Sequence, residues 1–311
     1  MSAWKPTVRT LRDLLVDGER RLSKAGVPSP RVDAELLLAH ALGVPRGRLF
    51  LSDPVESSDG VRFEALLIRR LARVPLQHIL GEAPFRHLLL QVGRGVFVPR
   101  PETEIVAEFV IAALGRDGGS RVVVDLCTGS GAIALAIATE VQGVVVHAVE
   151  LETAALEWAA RNVEAHAGSV DGVGSQLHLH QGDATMVHLG VLASLVGKVD
   201  VVVSNPPYIP DDAVPRDPEV RDYDPPRALY GGHDGLDVVR GLAISAASLL
   251  RPGGLLVIEH GDAQGEDSGA AGVPYVLRES GSFSEVIDHP DLGGRDRMTS
   301  ASRVAETVSH G

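Results

Sequence analysis

The stretch from Arg121 to Glu150 constrains the fold more than any other part of the chain. Arg121-Val122-Val123-Val124-Asp125-Leu126 is a β-branched, apolar run closing on a carboxylate, and it reads as a strand. Cys127-Thr128-Gly129-Ser130-Gly131 follows, and Ala132 to Ala138 has helical composition. Glycines let the backbone approach a ligand closely and take positive φ. A second strand, Val144 to Val149, ends at Glu150, roughly 20–25 residues past the loop, where doubly wound sheets present a carboxylate to the ribose of a bound nucleotide. A lone Gly-x-Gly would be an ordinary turn beside a solvated glutamate. Strand, loop, helix, strand and acid in this order point instead to a nucleoside-type cofactor.

From about residue 102 helix and strand keep alternating, which predicts an α/β domain with a mostly parallel, doubly wound, Rossmann-like sheet. Residues 7–75 differ. Val8, Leu11, Leu14 and Leu15, then Val32, Leu36, Leu37, Leu38 and Leu42, then Leu66, Leu67 and Leu71 recur at helical spacing, with breaks at 26–30 and 53–60. The expected organisation is a helical bundle over 1–75, a hairpin linker over 76–101, with Phe85–Leu90 and Gly95–Val98 extended, and the α/β domain over 102–311. Pro210 to Asp234, rich in Pro, Asp and Gly, reads as a long loop over the mouth of a site.

The loop chemistry narrows the cofactor. It has neither the lysine of a phosphate-binding P-loop nor the full Gly-x-Gly-x-x-Gly spacing of a dinucleotide fingerprint. A short glycine turn beside Asp125 suits a ligand with a cationic amino acid end, and S-adenosylmethionine has that form.

An acceptor pocket is written further on. Val199 to Ser204 reads as a buried strand running into Asn205-Pro206-Pro207-Tyr208. Proline fixes φ and carries no N–H, so the chain here is rigid. The Asn205 side-chain oxygen and the Pro206 carbonyl are two acceptors matching the two hydrogens of a planar –NH2, and Tyr208 offers a flat face. Glutamine amides, adenine N6 and cytosine N4 all present such a group, so the pocket alone leaves protein and nucleic-acid substrates open.

Charge and cysteine usage bear on that choice. Residues 1–80 hold 13 Lys+Arg and 9 Asp+Glu, so against a total of −12 the remainder carries about −16. An acidic catalytic portion argues against wrapping a nucleic acid, whose phosphates dominate binding. One cysteine, Cys127, allows no internal disulfide and suits a reducing compartment. Met1 to Leu15 lacks the apolar core of a secretory leader, and no stretch reaches transmembrane length, so the expectation is a cytoplasmic protein without a membrane partner.

Several stretches, in order, resemble the HemK/PrmC-type family of peptide chain release factor glutamine-N5 methyltransferases. They are Pro75 to Gly81 with Phe85, Val98-Pro99-Arg100-Pro101-Glu102-Thr103-Glu104, Asp125 to Leu135, Ser204 to Ile209, Ala228-Leu229 with Gly231-Gly232 and Asp234-Gly235, Glu259-His260-Gly261, and Asp291-Leu292 with Gly294 and Arg297. The resemblance covers nearly the whole chain. It implies a class I methyltransferase domain using S-adenosylmethionine and a helical domain that docks the release factor; the expected oligomeric state is a monomer. The substrate it implies is the glutamine of the Gly-Gly-Gln motif. Cofactor contacts are implied at Asp125, Cys127, Thr128, Gly129, Ser130 and Gly131, at Glu150 for the ribose, at Asp183 and Ala184 on the adenine side, and at Asn205. Asn205, Pro206, Pro207 and Tyr208 would hold the substrate amide. A sister family acting on a ribosomal-protein glutamine is the alternative, and an adenine-N6 methyltransferase a more distant one.

Departures from the family pattern carry their own expectations. Cys127 stands where glycine is usual, so φ must be negative there or the loop is strained. Glu150 replaces the commoner Asp, one methylene longer. Ala184 stands where some members have an aromatic ring, and Asp224 where Glu is common before Pro225. Of the other reactive side chains, Cys127 has no histidine placed to activate it. His260 reads as a structural hydrogen bonder. His178-x-His180, without further ligand spacing, reads as a strand with outward histidines and no metal. Glu102 and Glu104 fall in the first turn of a helix, where carboxylates favour the dipole, and Arg100 is held between two prolines.

Overall fold

The computed structural model describes residues 10–51, 55–115 and 120–305. The chain divides into two compact units, Met1–Glu82 with Pro215–Tyr223, and Ala83–Val214 with Asp224–Gly311.

The first unit is helical: α1 (Leu11–Lys24), α2 (Pro30–Leu42), α3 (Ser57–Leu71) and α4 (Leu76–Leu80). A capping box opens α1, with the Asp13 amide donating to Thr10 Oγ1 at 3.2 Å and the Thr10 amide to Asp13 Oδ2 at 3.1 Å. Pro30 starts α2, and Gly43, at φ 66°, ends it. Leu14, Leu15, Leu22, Leu37, Leu38, Phe63 and Leu67 form the core. The linker expected from residue 76 begins instead with α4, because Ile79, with Leu76 and Leu80 beside it, packs into this core.

The second unit opens with a hairpin, β1 (Glu82–Phe85) and β2 (Leu88–Gln91). Gly95–Val98, expected to be extended with it, pairs with no strand; Val96 and Val98 are instead buried in a small cluster beside Trp158. There follow α5 (Thr103–Leu114), β3 (Val122–Leu126), α6 (Ala132–Glu140), β4 (Val145–Glu150), α7 (Thr153–Gly172), β5 (Gln176–Gln181) and β6 (Val199–Ser204). After the short helices α8 (Pro218–Tyr223) and α9 (Pro226–Leu229) come α10 (Asp237–Leu249), β7 (Leu250–Glu259), α11 (Val273–Glu279), β8 (Phe283–Pro290) and β9 (Asp296–Arg303). The strands form one sheet in the order β5-β4-β3-β6-β7-β9-β8, parallel as far as β7 and antiparallel over the last two. Alternation along the strands sends side chains to two cores. Val123, Val201 and Val203 meet α5 and α6, whereas Val124, Leu126, Val202 and Leu256 meet α10 and α11. The result is a Rossmann-like, doubly wound sheet, parallel but for its last two strands.

Pro210–Asp234 is not the single loop that its composition suggests. It contains α8 and α9, and residues 215–223 group with the helical unit. The cause is electrostatic: Glu219 accepts from Arg70 Nη1 at 2.7 Å and from Arg73 Nε at 2.7 Å, while Tyr223 Oη donates to the Ala72 carbonyl at 2.7 Å. Among the described residues no helix is long and apolar enough to cross a membrane.

Candidate functional site

The chain leaves β3 toward β4 on one side and returns to β6 on the other. The strand order therefore reverses between β3 and β6, and ligands of such sheets bind outside the carboxyl ends at that point. Leu126 is register-matched with Val149 of β4 and with Ser204 of β6, so the turn after Leu126, the acid Glu150 and Asn205 leave the same edge.

The turn is built by its own hydrogen bonds. The Thr128 amide donates to the Val149 carbonyl at 3.0 Å, and Gly131 to the Thr128 carbonyl at 2.9 Å. Asp125, fully buried, accepts at Oδ2 from Thr128 Oγ1 at 2.6 Å and from the Ala134 amide at 3.1 Å. Burial pushes its carboxyl up to about 7, with Glu150 adding to the rise and Thr128 and Ala134 opposing it. Glu150 Oε2 accepts from the Gly129 amide at 2.9 Å and Oε1 from Glu152 at 2.9 Å. Burial holds this carboxyl above its ordinary range. Asn162, with no exposed surface, donates to the Ser130 carbonyl at 2.9 Å and to Gln91 at 3.0 Å, tying the turn to the hairpin. Cys127 has φ 61°, so the strained alternative expected for a residue in place of glycine is the one adopted. Its thiol is pushed up by burial and by Glu150, which makes it a poor nucleophile.

These features fit S-adenosylmethionine. Asp125 Oδ1 is buried without a hydrogen-bond partner, and a side chain added at Gly129 would meet nothing within 4 Å. Two carboxylates without a lysine suit a cationic ligand and not a phosphate. Asp183, two residues past β5, accepts at Oδ1 from the Thr185 amide at 2.9 Å and hydroxyl at 2.7 Å. The Ala184 methyl is buried in the second core.

Asn205, Pro206, Pro207 and Tyr208 are held from behind. Ile209 donates to the Leu229 carbonyl at 2.8 Å, Gly231 donates to Ile209 at 2.9 Å, and Gln264 Nε2 donates to the Tyr208 carbonyl at 3.0 Å. A Cβ on Gly231 would lie 2.4 Å from the Pro207 carbonyl oxygen, and one on Gly235 2.3 Å from that of Tyr208. Asn205 Nδ2 donates to Thr103 Oγ1 at 3.2 Å. Burial, then Glu259, pushes the Tyr208 hydroxyl up, so it stays protonated and is no base.

Thr103, Gly231, Gly235 and Gln264 lie against Asn205–Tyr208, and Glu259 and Arg297 act on the Tyr208 hydroxyl; the sequence did not single these out as site residues. Glu259 left a signal: like Asp125 and Glu150, it is an acid closing an apolar strand. Arg100 and Asp224 find their roles in each other, with Nη2 to Oδ2 at 2.6 Å and the guanidinium 4.8 Å above the Phe97 ring. Glu104 does more than favour a helix dipole, since it accepts from the Arg86 amide at 3.0 Å. His260 is buried and engaged by the Gly261 carbonyl at 3.0 Å, Thr299 Oγ1 at 3.0 Å and Asp288 at 3.1 Å. His178 and His180 stack against His147 with ring centroids 5.1 and 5.2 Å apart, and among the described residues no group of three or more His, Cys, Asp or Glu side chains is placed to hold a metal ion.

Two family descriptions match the chain, "PrmC N-terminal domain" over residues 13–81 and "Methyltransferase small domain" over 90–217. A release factor glutamine methyltransferase of Streptomyces coelicolor is 49% identical over 286 residues, covering 91% of this chain and 95% of its own. One of Mycolicibacterium smegmatis is 44% identical over 298 residues, covering 96% and 99%. One of Deinococcus radiodurans is 40% identical over 296 residues, covering 94% and 98%.

Proposed function

The chain belongs to the release factor glutamine methyltransferases, and from that premise we propose how its residues perform the reaction. The enzyme methylates the side-chain N5 of a glutamine in peptide chain release factors, and the target is the glutamine of the Gly-Gly-Gln motif. S-adenosylmethionine, when bound, supplies an electrophilic sulfonium methyl. Asp125, Thr128, Gly129, Ser130 and Gly131, with Cys127 in the same turn, would hold its amino acid end, Glu150 its ribose, and Asp183 and Ala184 its adenine.

An amide nitrogen is a weak nucleophile because its lone pair is shared with the carbonyl, and it is too weak an acid to deprotonate first. The protein's contribution is therefore positional. Asn205 Oδ1 and the Pro206 carbonyl accept the two N–H groups and aim the nitrogen at the methyl, which can supply several kcal/mol. The new N–CH3 bond replaces the S–CH3 bond, and one N–H proton is released to water. Acceptors beside a nitrogen that turns cationic also stabilise the charge as it develops. The observation that carries this reading is the shared edge: the turn after β3 and Asn205 after β6 flank the reversal of strand order. The helical unit is the docking surface for the release factor, the enzyme acts as a monomer in the cytoplasm, and no nucleic acid is bound.

The test is methyl transfer from labelled S-adenosylmethionine to purified release factor, to its Gly-Gly-Gln→Gly-Gly-Ala variant and to a DNA duplex. Label on the wild-type factor alone is expected. Label on DNA, or on neither despite measured cofactor binding, overturns the assignment, the second outcome pointing to the ribosomal-protein branch or to a binding role.

A further inference from the structure

Behind Asn205 lies a pair of buried polar side chains that the reaction as described does not use. Thr103, the first residue of α5, is 4% exposed, and Glu259, the last of β7, is 2% exposed. Ser204 and Ile258 are register partners on the parallel strands β6 and β7, so the residues that follow them, Asn205 and Glu259, are side-by-side neighbours. Asn205 Nδ2 donates to Thr103 Oγ1 at 3.2 Å. Glu259 Oε2 is buried with no hydrogen-bond partner, and Thr103 and Asn205 are both close enough to act on this carboxyl.

We propose that Thr103 and Glu259 are positioning residues that fix which end of the Asn205 amide faces the substrate. An asparagine amide has an acceptor end and a donor end of nearly equal shape, and its environment decides which way it lies. A hydroxyl has one hydrogen, whereas an ionised carboxylate only accepts. With Glu259 ionised, the Thr103 hydrogen is drawn to the carboxylate, so toward Asn205 the hydroxyl can only accept. Asn205 must then turn its NH2 end to Thr103, and Oδ1 is left for the substrate N–H. Turned the other way, Asn205 would present two hydrogens to a nitrogen that also carries hydrogens, and the productive pose would be lost. The carboxyl of Glu259 responds to these same neighbours: burial raises it, and Thr103, Arg297 and Asn205 act against that rise. Its other titratable neighbours are Glu102 before α5 and Tyr208 after β6. The inference rests on the functional reading above, because it concerns the orientation of the same asparagine.

The experiment compares full-length wild type with Thr103→Val, Thr103→Ser and Glu259→Gln. It measures kcat and KM for release factor across pH, with S-adenosylmethionine affinity followed by calorimetry. Thr103→Val should lower kcat roughly tenfold to a hundredfold with cofactor affinity unchanged, the scale expected of a misplaced reacting group. Thr103→Ser, which restores the hydroxyl, should recover most of that loss. Glu259→Gln can donate to Thr103 and so free the Thr103 hydrogen for Asn205 Oδ1. Its kcat should fall comparably and lose the rise through about pH 7 expected of wild type. Wild-type kcat in folded Thr103→Val, or a wild-type pH profile in Glu259→Gln, would overturn the inference. If Thr103→Val does not fold, the isosteric Glu259→Gln decides alone. A wild-type enzyme that leaves the release factor unmethylated would instead sink the functional reading.

Discussion

Glu219 and Arg73, 146 residues apart in the chain, are joined by two hydrogen bonds, Nε to Oε1 at 2.7 Å and Nη2 to Oε2 at 2.5 Å. Arg70, itself paired with Asp33 at 2.7 Å, donates to the same carboxylate at 2.7 Å. The Arg70 side chain is only 6% exposed and that of Glu219 14%, so removing Glu219 leaves buried positive charge uncompensated. Glu219→Ala should therefore cost about 2–4 kcal/mol, less than the full loss of a buried partner because Arg70 keeps Asp33. Urea denaturation of the full-length chain, read by far-ultraviolet circular dichroism, checks this, and an unchanged midpoint would contradict it. Burial alone would raise the Glu219 carboxyl, but Arg73 and Arg70 outweigh it and hold it below its ordinary range. Its stabilising contribution is therefore present above the unfolded value of 4.5 and is lost as pH falls through the folded one.

Gly231 packs against the backbone of the Asn205–Tyr208 segment. Its φ is not positive, so no backbone strain opposes a side chain there, but a Cβ would lie 2.4 Å from the Pro207 carbonyl oxygen and 2.6 Å from that of Gly235. All the crowding atoms are backbone, so the Asn205–Tyr208 segment itself must shift. Gly231→Ala should lower kcat roughly tenfold or more. Cofactor affinity should stay near wild type, because the turn after β3 is not involved. Parallel kinetics and calorimetry separate the two, and an equal loss of both would show that the whole sheet edge had moved.

The acceptor and donor sites were legible because each is a run of neighbouring residues. Asp125 to Gly131, Glu150 and Asn205 to Tyr208 each sit at a strand end, and the order of strands brings those ends together. What supports them was not legible in the same way. Thr103 reaches Asn205 from α5, and nothing in its local sequence says so; Glu259, an acid closing the apolar strand β7, carried a signal for the sheet edge but none for its nearness to Asn205. The allegiance of 215–223 to the helical unit depends on Arg70 and Arg73, far away in the chain, so composition alone reads it as loop. At Cys127 the choice between negative φ and strain depends on where the surrounding backbone is pinned, by Thr128 to Val149 and by Gly129 to Glu150, and those are tertiary contacts.

Asp125 anchors the turn from beneath. Without its carboxylate the Thr128 hydroxyl and the Ala134 amide lose their acceptor, at a cost of about 1–3 kcal/mol for a buried donor left unmade. These bonds fix the turn from its buried side, so Asp125→Ala should weaken S-adenosylmethionine binding by roughly five- to a hundredfold. Calorimetric titration provides the number, and undiminished affinity would remove Asp125 from the binding machinery. Asp125→Asn, which keeps one acceptor oxygen, should fall between the two.

Glu259 sets activity against stability. Burial outweighs Thr103 and Arg297 and leaves its carboxyl raised from 4.5 to about 7. A carboxyl raised in the fold contributes stability that is full below the unfolded value of 4.5 and is lost as pH climbs through the folded value near 7. At pH 8 the ionised group is therefore a cost to the fold, and Glu259→Gln, of the same size and without charge, relieves it. The variant should be more stable than wild type by about 1–3 kcal/mol at pH 8, and the gap should close as pH falls toward 4.5. Denaturant midpoints across that range measure it. A variant less stable at pH 8 would mean that Arg297 and Thr103 compensate the charge fully. The expected pair of results, a firmer fold with slower transfer, would mark Glu259 as a residue kept for what it does to Asn205 and not for what it contributes to the fold.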